Sequence, residues 1–224
     1  MGTNNSIIKL KDITFGYSSK SLVLNQLNFT FSQGERVGLV GTNGSGKTTL
    51  FHILMGLQKI FGGEIEIFRK PRHTESDFKE VRKKIGLLFQ DANDQLFCPT
   101  VAEDIAFGPL NLRKTHAEVK TIVKETLEIL GLVGFENRVT YKLSEGEKKL
   151  ISLATVLAMK PEVLLLDEPT TGLDEEKTER IIKILNSNPE LSYIIISHDR
   201  KLLKRTTDEI YRIKNGKIEK WRID

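Results

Sequence analysis

Gly41-Thr42-Asn43-Gly44-Ser45-Gly46-Lys47-Thr48 constrains this 224-residue chain more than any other stretch. The string fits G-x-x-x-x-G-K-[ST], and chemistry explains the spacing. Glycines let the backbone turn tightly enough for successive N–H groups to point inward around a phosphate. The short apolar run Glu35–Val40 precedes the string and a helical stretch, Thr48–Leu57, follows it. The positive end of that helix adds to the anion site. Lys47 is placed to reach the β- and γ-phosphates as a point charge, and the Thr48 hydroxyl to meet Mg²⁺.

The rest of the chain supplies a frame for this loop. Ile7–Tyr17 is rich in strand-forming residues, and Leu27–Phe31 alternates apolar and polar residues. Ile65–Phe68 reads as another strand. Thr100-Val-Ala-Glu103 forms a capping box that opens a helix toward Ala106, which Gly108-Pro109 should stop. Ala117–Leu130 has helical apolar spacing, ended by Gly131. A helix should run from Ser144 to about Met159, and another from about Glu175 to Leu185. Val163–Leu166 and Tyr193–Ser197 are continuous apolar strands, as in a sheet covered on both faces. Asn215-Gly216 between Tyr211–Lys214 and Lys217–Trp221 signals a hairpin. Strands alternating with helices predict an α/β fold with a largely parallel core.

The second chemical feature is Leu164-Leu165-Leu166-Asp167-Glu168, an apolar strand ending in two acids. Asp167 is placed to hold Mg²⁺, through water, and Glu168 to orient or deprotonate an attacking water. A lone Asp-Glu after a strand would read as a turn; the phosphate loop upstream favours the catalytic reading.

About 120 residues separate Gly46 from Asp167. That stretch holds Leu143-Ser144-Glu145-Gly146-Glu147, which resembles the signature of ABC ATPases, usually LSGGQ. Other family motifs follow in order: Tyr17, the adenine-stacking aromatic; Gln90, the Q-loop; Gly172-Leu173-Asp174, the D-loop; and His198, the switch histidine. The resemblance spans nearly the whole chain. It implies a P-loop NTPase core with an antiparallel β subdomain and an inserted α-helical subdomain at about 91–158, within one nucleotide-binding domain over 1–224.

It also implies roles. Gly41 to Thr49, with Tyr17, contact ATP; Thr49 belongs to that set beside Thr48. Thr48, Gln90 and Asp167 serve Mg²⁺. Glu168, His198, Lys47 and Gln90 serve hydrolysis, with His198 bonding the γ-phosphate. Ser144, Gly146, Glu147 and Asp174 join the ATP contacts, with Ser144 and Gly146 acting in trans on the γ-phosphate held by Lys47 of a second ATPase subunit. Blander readings stand beside these: Tyr17 packing at a strand end, His198 on the surface, Gln90 ending a strand, Ser144-x-x-Glu147 as a plain capping box. The signature departs from the family at Glu145 and Glu147, two carboxylates near a phosphate. Glu147 is expected to be occupied by the cap and Glu145 to face outward.

A narrower resemblance lies in Asp94-Gln95-Leu96-Phe97-Cys98-Pro99-Thr100-Val101 and in Glu103 to Leu110. With Leu157 to Pro161 and Glu168 to Asp174, these look like the ATPases of energy-coupling-factor importers for cobalt, nickel, biotin or other vitamins. That implies a transmembrane coupling subunit, a substrate-capture membrane protein and a place on the cytoplasmic face of the membrane. Leu96 and Phe97 would line the groove for the membrane partner, if they are not core. Many such ATPases carry an added C-terminal segment, which this chain is expected to lack after Asp224. A non-transport ABC ATPase and a small-molecule P-loop kinase are the alternatives.

Composition narrows the field. A net charge of +4 is mild, and the cluster Arg69, Lys70, Arg72, Lys79, Arg82, Lys83 and Lys84 lacks the interleaved aromatic series that a stacking platform requires, Phe78 standing alone within it. It reads as a solvated face, with no nucleic acid expected. No apolar run approaches the roughly 18–20 residues a membrane span needs. Met1-Gly2 with Ser6 fits an acylation pattern by position alone and is set aside. The single Cys98 reads as structural.

Overall fold

A computed structural model describes residues 5–18 and 21–222. Met1 and Gly2, with their acylation pattern, lie outside the described residues. The chain runs β1 (Ser6–Phe15), β2 (Leu24–Ser32), β3 (Arg36–Val40), α1 (Lys47–Leu54), β4 (Gly62–Ile67), β5 (Lys70–Pro71) and α2 (Glu75–Val81). Next come β6 (Ile85–Leu88), α3 (Val101–Asn111), α4 (His116–Ile129) and α5 (Glu145–Leu157). It ends with β7 (Val163–Asp167), α6 (Glu175–Ser187), β8 (Ser192–Ile196), α7 (Arg200–Thr206), β9 (Glu209–Lys214) and β10 (Lys217–Trp221).

Two sheets result. A four-stranded antiparallel sheet has the order β2-β1-β4-β5. In β2, Leu27, Phe29 and Phe31 are buried while Asn28 and Thr30 face water, the period of two expected of a half-buried strand. The second sheet has the order β10-β9-β3-β8-β7-β6, parallel except for the β9–β10 hairpin. Asn215 and Gly216 at its turn have φ of +53° and +73°, the conformation that favours Asn-Gly there. The Gly216 carbonyl accepts from Asn25 N–H at 2.9 Å, docking the turn on β2.

Both faces of the parallel sheet are covered, so β7 and β8 are buried throughout. β7 divides the interior. Val163 and Leu165 pack with the antiparallel sheet and α1. Leu164 and Leu166 pack with α3, α4 and α5. Among the described residues, no helix is long and apolar enough to cross a membrane.

The structure departs from the sequence reading in three places. α3 continues through Gly108-Pro109 to Asn111. Pro109 lies near the helix end, where one N–H is lost but the ladder is nearly complete. Leu112 N–H bonds the Gly108 and Pro109 carbonyls, and Met159 packs so closely on Gly108 that an added Cβ would lie 2.7 Å from its Cγ. α2 and α7 were not anticipated. The basic cluster is not a uniformly solvated face. Arg72 is buried, donating to the Ile67 and Asp77 carbonyls and to Glu80, which also takes Lys70. Arg82 pairs with Glu75, and Lys84 with Glu162.

Leu165 is fully buried in the middle of β7. Leu165→Ala is expected to lower stability by about 2–5 kcal/mol, because the cavity between two packed layers cannot collapse. Urea unfolding followed by circular dichroism measures it.

Candidate active site

The phosphate loop connects β3 to α1. Gly41 sits where a Cβ would lie 2.6 Å from Ser45 Oγ and 2.7 Å from the Ile213 carbonyl. Gly46, at φ +103°, precedes the helix, and a Cβ there would lie 2.8 Å from Leu24 Cδ2. A side chain at Gly41 would collide with Ser45 and the Ile213 carbonyl, and one at Gly46 would be strained and press on Leu24 and Val23. Among the seven α-helices of the described residues, α1 alone has no side-chain cap; α2 to α7 are capped by Thr74, Thr100, Thr115, Ser144, Asp174 and Asp199. The N–H groups of its first turn are thus left to a ligand.

Lys47 Nζ donates to the Gly41 and Thr42 carbonyls at 2.8 and 3.0 Å. Burial lowers its pKa, against the pull of Glu168 and Asp167. Thr48 Oγ1 donates to Asp167 Oδ2 at 2.6 Å, joining the start of α1 to the end of β7. Burial raises the Asp167 pKa, against the Thr48 hydrogen bond and the charges of Lys149 and Lys47.

Glu168 is buried and adopts a left-handed backbone, φ +47°. Such a conformation is strained for a glutamate and concentrates at functional sites. Its N–H bonds the Ile196 carbonyl at 2.9 Å, and Thr171 Oγ1 donates to Oε2 at 3.3 Å. Oε1 is buried with no hydrogen-bond partner, and His198 Nε2 stands 3.6 Å from it. Ser45 Oγ is likewise buried and unpartnered. Unsatisfied buried oxygens beside the uncapped N–H groups at the start of α1 mark a place prepared for a polar ligand.

These groups line one cleft of about 690 Å³. Tyr17, Asn43, Gly44, Ser45, Gly46, Lys47, Thr48, Thr49, Gln90, Asp167, Glu168 and His198 all face it, as do Val23, Thr171 and Ile196. Tyr17 stands at the rim, 68% exposed, with its hydroxyl 3.0 Å from Thr49 Oγ1 and its ring edge-on to Phe15. The donor set fits a small hard cation: a hydroxyl, a carboxylate and an amide oxygen. Among the described residues, no cluster of three or more His, Cys, Asp or Glu could hold a metal unaided. Phosphate oxygens and water would complete its shell.

Ser144, Gly146, Glu147 and Asp174 do not line this cleft. Ser144 caps α5 in a full capping box: its N–H and Oγ donate to Glu147 Oε2 at 2.8 and 3.0 Å. Arg138 takes Glu147 Oε1 at 2.7 Å. Both carboxylate oxygens of Glu147 are therefore used inside the chain, as expected of a residue held by the cap. Glu145 is exposed and pairs with Lys148. Asp174 caps α6 and pairs with Lys177.

Two residues were missed by sequence reasoning. Lys149, on α5, is buried and donates to the carbonyls of Phe89, Gln90 and Asp167. Gln95 accepts from Phe89 N–H at 3.0 Å and donates to the Ser152 carbonyl and Thr155 Oγ1. Lys149 lies outside every family motif that was read, Gln95 was read only as part of the string Asp94–Val101 with no role of its own, and their partners are mostly distant in sequence. The groove residues also divide: Phe97 is exposed, edge-on to Phe107, whereas Leu96 is partly buried against the helical core. Cys98 Sγ is held protonated, its pKa pushed up to about 11 by burial and by Asp104.

A parallel α/β sheet with a phosphate loop, a strand-end acid pair and an inserted helical layer defines a P-loop ATPase. The chain belongs to the ABC transporter family, whose profile matches residues 24–171. It is 46% identical over 215 residues to a protein of Nitratidesulfovibrio vulgaris with an ABC transporter ATP-binding name, covering 96% of this chain and 78% of the relative. It is 44% identical over 217 residues to the energy-coupling factor transporter ATP-binding protein EcfA of Methanocaldococcus jannaschii, with the same coverage. Among solved structures, cbiO1 from Clostridium perfringens, part of the ABC transporter complex cbiONQ, superposes with a TM-score of 0.83 at 32% identity. That match covers 96% of this chain and 88% of cbiO1. A dimeric ATP-binding cassette bound to ADP and Pi matches with a TM-score of 0.84 at 26% identity, covering 97% of this chain and 100% of that one. The chain is an ATPase that binds ATP with Mg²⁺.

The charge of Asp167 has a thermodynamic consequence. Its native pKa lies above the ordinary 3.8. The folded chain then binds that proton more tightly than the unfolded chain, so ionisation costs stability as pH rises through the native pKa. Asp167→Asn is expected to raise the urea midpoint at about pH 7, with the gain shrinking as pH falls toward 3.8, and to abolish Mg²⁺-dependent hydrolysis. A lower midpoint at neutral pH would show that the carboxylate is net stabilising.

Proposed function

We propose that this chain powers an importer of the energy-coupling-factor type, working as a pair of ATPase subunits against a transmembrane coupling subunit and a substrate-capture protein. The cargo class is a metal ion such as cobalt or nickel, or a vitamin such as biotin. The place of action is the cytoplasmic face of the membrane. The EcfA and cbiO1 names of its relatives support this reading, and so does the exposed Phe97–Phe107 pair, with ring centroids 4.9 Å apart, beside Leu110. Exposed aromatics in contact suit an apolar partner surface. Residues 91–158 form the inserted helical unit in this reading, within one nucleotide-binding domain over 1–224.

The observation that carries the catalytic assignment is the Thr48–Asp167 contact of 2.6 Å beside the unpartnered Glu168 Oε1, in the cleft that Lys47 faces. Lys47 and the α1 N-terminus take the β- and γ-phosphates. Thr48, Asp167 and Gln90 would hold Mg²⁺, whose charge would offset that of the phosphates. Glu168 accepts a hydrogen bond from the attacking water through Oε1, and His198, on the same side, bonds the γ-phosphate. Tyr17 stacks on adenine. Ser144, Gly146 and Asp174 serve the nucleotide of the paired subunit, and Glu147 serves indirectly by fixing the Ser144 cap.

Glu168→Gln is expected to retain ATP binding, lower kcat by at least 100-fold, and accumulate an ATP-dependent dimer on size-exclusion chromatography. Ordinary steady-state turnover in that variant removes Glu168 from the role. Lys47→Ala is expected to weaken ATP affinity at least tenfold by equilibrium titration; unchanged affinity would move the phosphates elsewhere.

A further inference from the structure

We propose that Lys149 is a positioning residue for hydrolysis: its buried ammonium ties the carboxyl ends of β6 and β7 together and so sets Gln90 against Asp167. The β6–β7 ladder is parallel and its last paired residues are Leu88 and Leu166. Beyond that point the two strands no longer bond each other. Lys149 Nζ donates to the Phe89 carbonyl at 3.1 Å, the Gln90 carbonyl at 2.8 Å and the Asp167 carbonyl at 3.3 Å. An ammonium has three N–H donors, and each here meets one carbonyl. The side chain replaces the missing rungs at the edge where parallel sheets hold their ligands.

Three features argue against Lys149 as an ordinary core lysine. It is only 4% exposed, and a buried charge is costly unless fully bonded. The carboxylates that face it are Asp167, Glu168 and Asp91, all on the segments it ties. The same helix also holds the far end of the loop. Gln95 is bonded to the Ser152 carbonyl and Thr155 Oγ1, while its Oε1 takes Phe89 N–H. Lys149, Ser152 and Thr155 recur every three residues on one side of α5. Residues 89–95 are thus carried on α5, the helix that begins at the Ser144 cap.

The inference rests on the metal-side roles proposed for Gln90 and Asp167, and hydrogen exchange tests it independently of them. Lys149→Met keeps the length and removes all three donors. It is expected to lower kcat at least tenfold, leave the ATP KM and Mg²⁺-free ATP affinity within threefold, and speed hydrogen exchange over residues 86–97 without changing it over 41–50. Lys149→Gln, which restores N–H donors without charge, is expected to recover kcat to an intermediate value. Wild-type kcat in Lys149→Met overturns the proposal, and so does a loss expressed only in KM. If Lys149→Met does not fold, Lys149→Gln decides: faster exchange over 86–97 with lowered kcat supports it, and unchanged exchange overturns it. If exchange responds but Gln90→Ala hydrolyses ATP normally, the tether stands and the role given to Gln90 fails.

Discussion

Four charges share the carboxyl edge of the parallel sheet, and the rest of the site is arranged around their burial. Lys47, Lys149, Asp167 and Glu168 are each less than 9% exposed. Burial pushes both lysines and Asp167 toward their neutral forms, while their mutual attraction opposes it. The two lysines are satisfied differently. Lys149 spends its three donors on three carbonyls. Lys47 meets two carbonyls among the described residues, so one of its donors is directed at neither. The first geometry suits a fixed tether and the second a group that takes a ligand. Charges held in place before a substrate arrives need no rearrangement during reaction, which is how a site lowers a barrier electrostatically.

Helix starts follow the same division between closed and open valences. Six α-helices spend a Ser, Thr or Asp side chain on their own first turn, and α1 does not. α5 is the intermediate case. Its box uses Ser144 and Glu147, and Arg138 neutralises the remaining oxygen of Glu147. The carboxylate that stood against an anion role at this helix is thereby occupied, and Glu145 is turned onto Lys148. The backbone N–H groups of Glu145 and Gly146 stay at the helix tip, where no i−4 carbonyl exists for them. Two acidic residues in the signature are thus compatible with an anion at that tip.

The phosphate loop, the acid pair and most strands were legible because their signals are local. A glycine pattern between a strand and a helix needs no knowledge of the rest of the chain, and Val163–Leu166 announces burial on both faces by composition alone. What stayed hidden depends on contacts between distant segments. Lys149 lies 59 and 60 residues from two of its acceptors. Arg72 looked like one member of a basic surface run, but its guanidinium turns inward to carbonyls and Glu80. α2 is opened by Thr74 with Asp77 in the box, where Glu or Gln is the usual partner, and its seven residues give periodicity little room. Pro109 looked like a stop because the cost of a proline was weighed without its place near the helix end.

The exposed Phe97 gains meaning from what lies beneath it. Its N–H and that of Cys98 both donate to Asp104 Oδ1, and Oδ2 accepts from Thr140. Asp104 is itself 3% exposed, so a buried carboxylate fixes the backbone that presents the ring outward. A loop that exposed an aromatic side chain by poor packing would have no such footing. The other side of the same loop is bound to α5 through Gln95, two residues before Phe97. Hydrogen bonds of ordinary length therefore join the loop that carries Phe97 to Phe89 N–H, and Gln90 is the next residue. For a subunit proposed to exchange work with a membrane partner, that continuity matters more than the apolar area of the patch. It places an apolar contact on the helical layer and a charged cleft on the sheet edge at the two ends of one hydrogen-bonded segment.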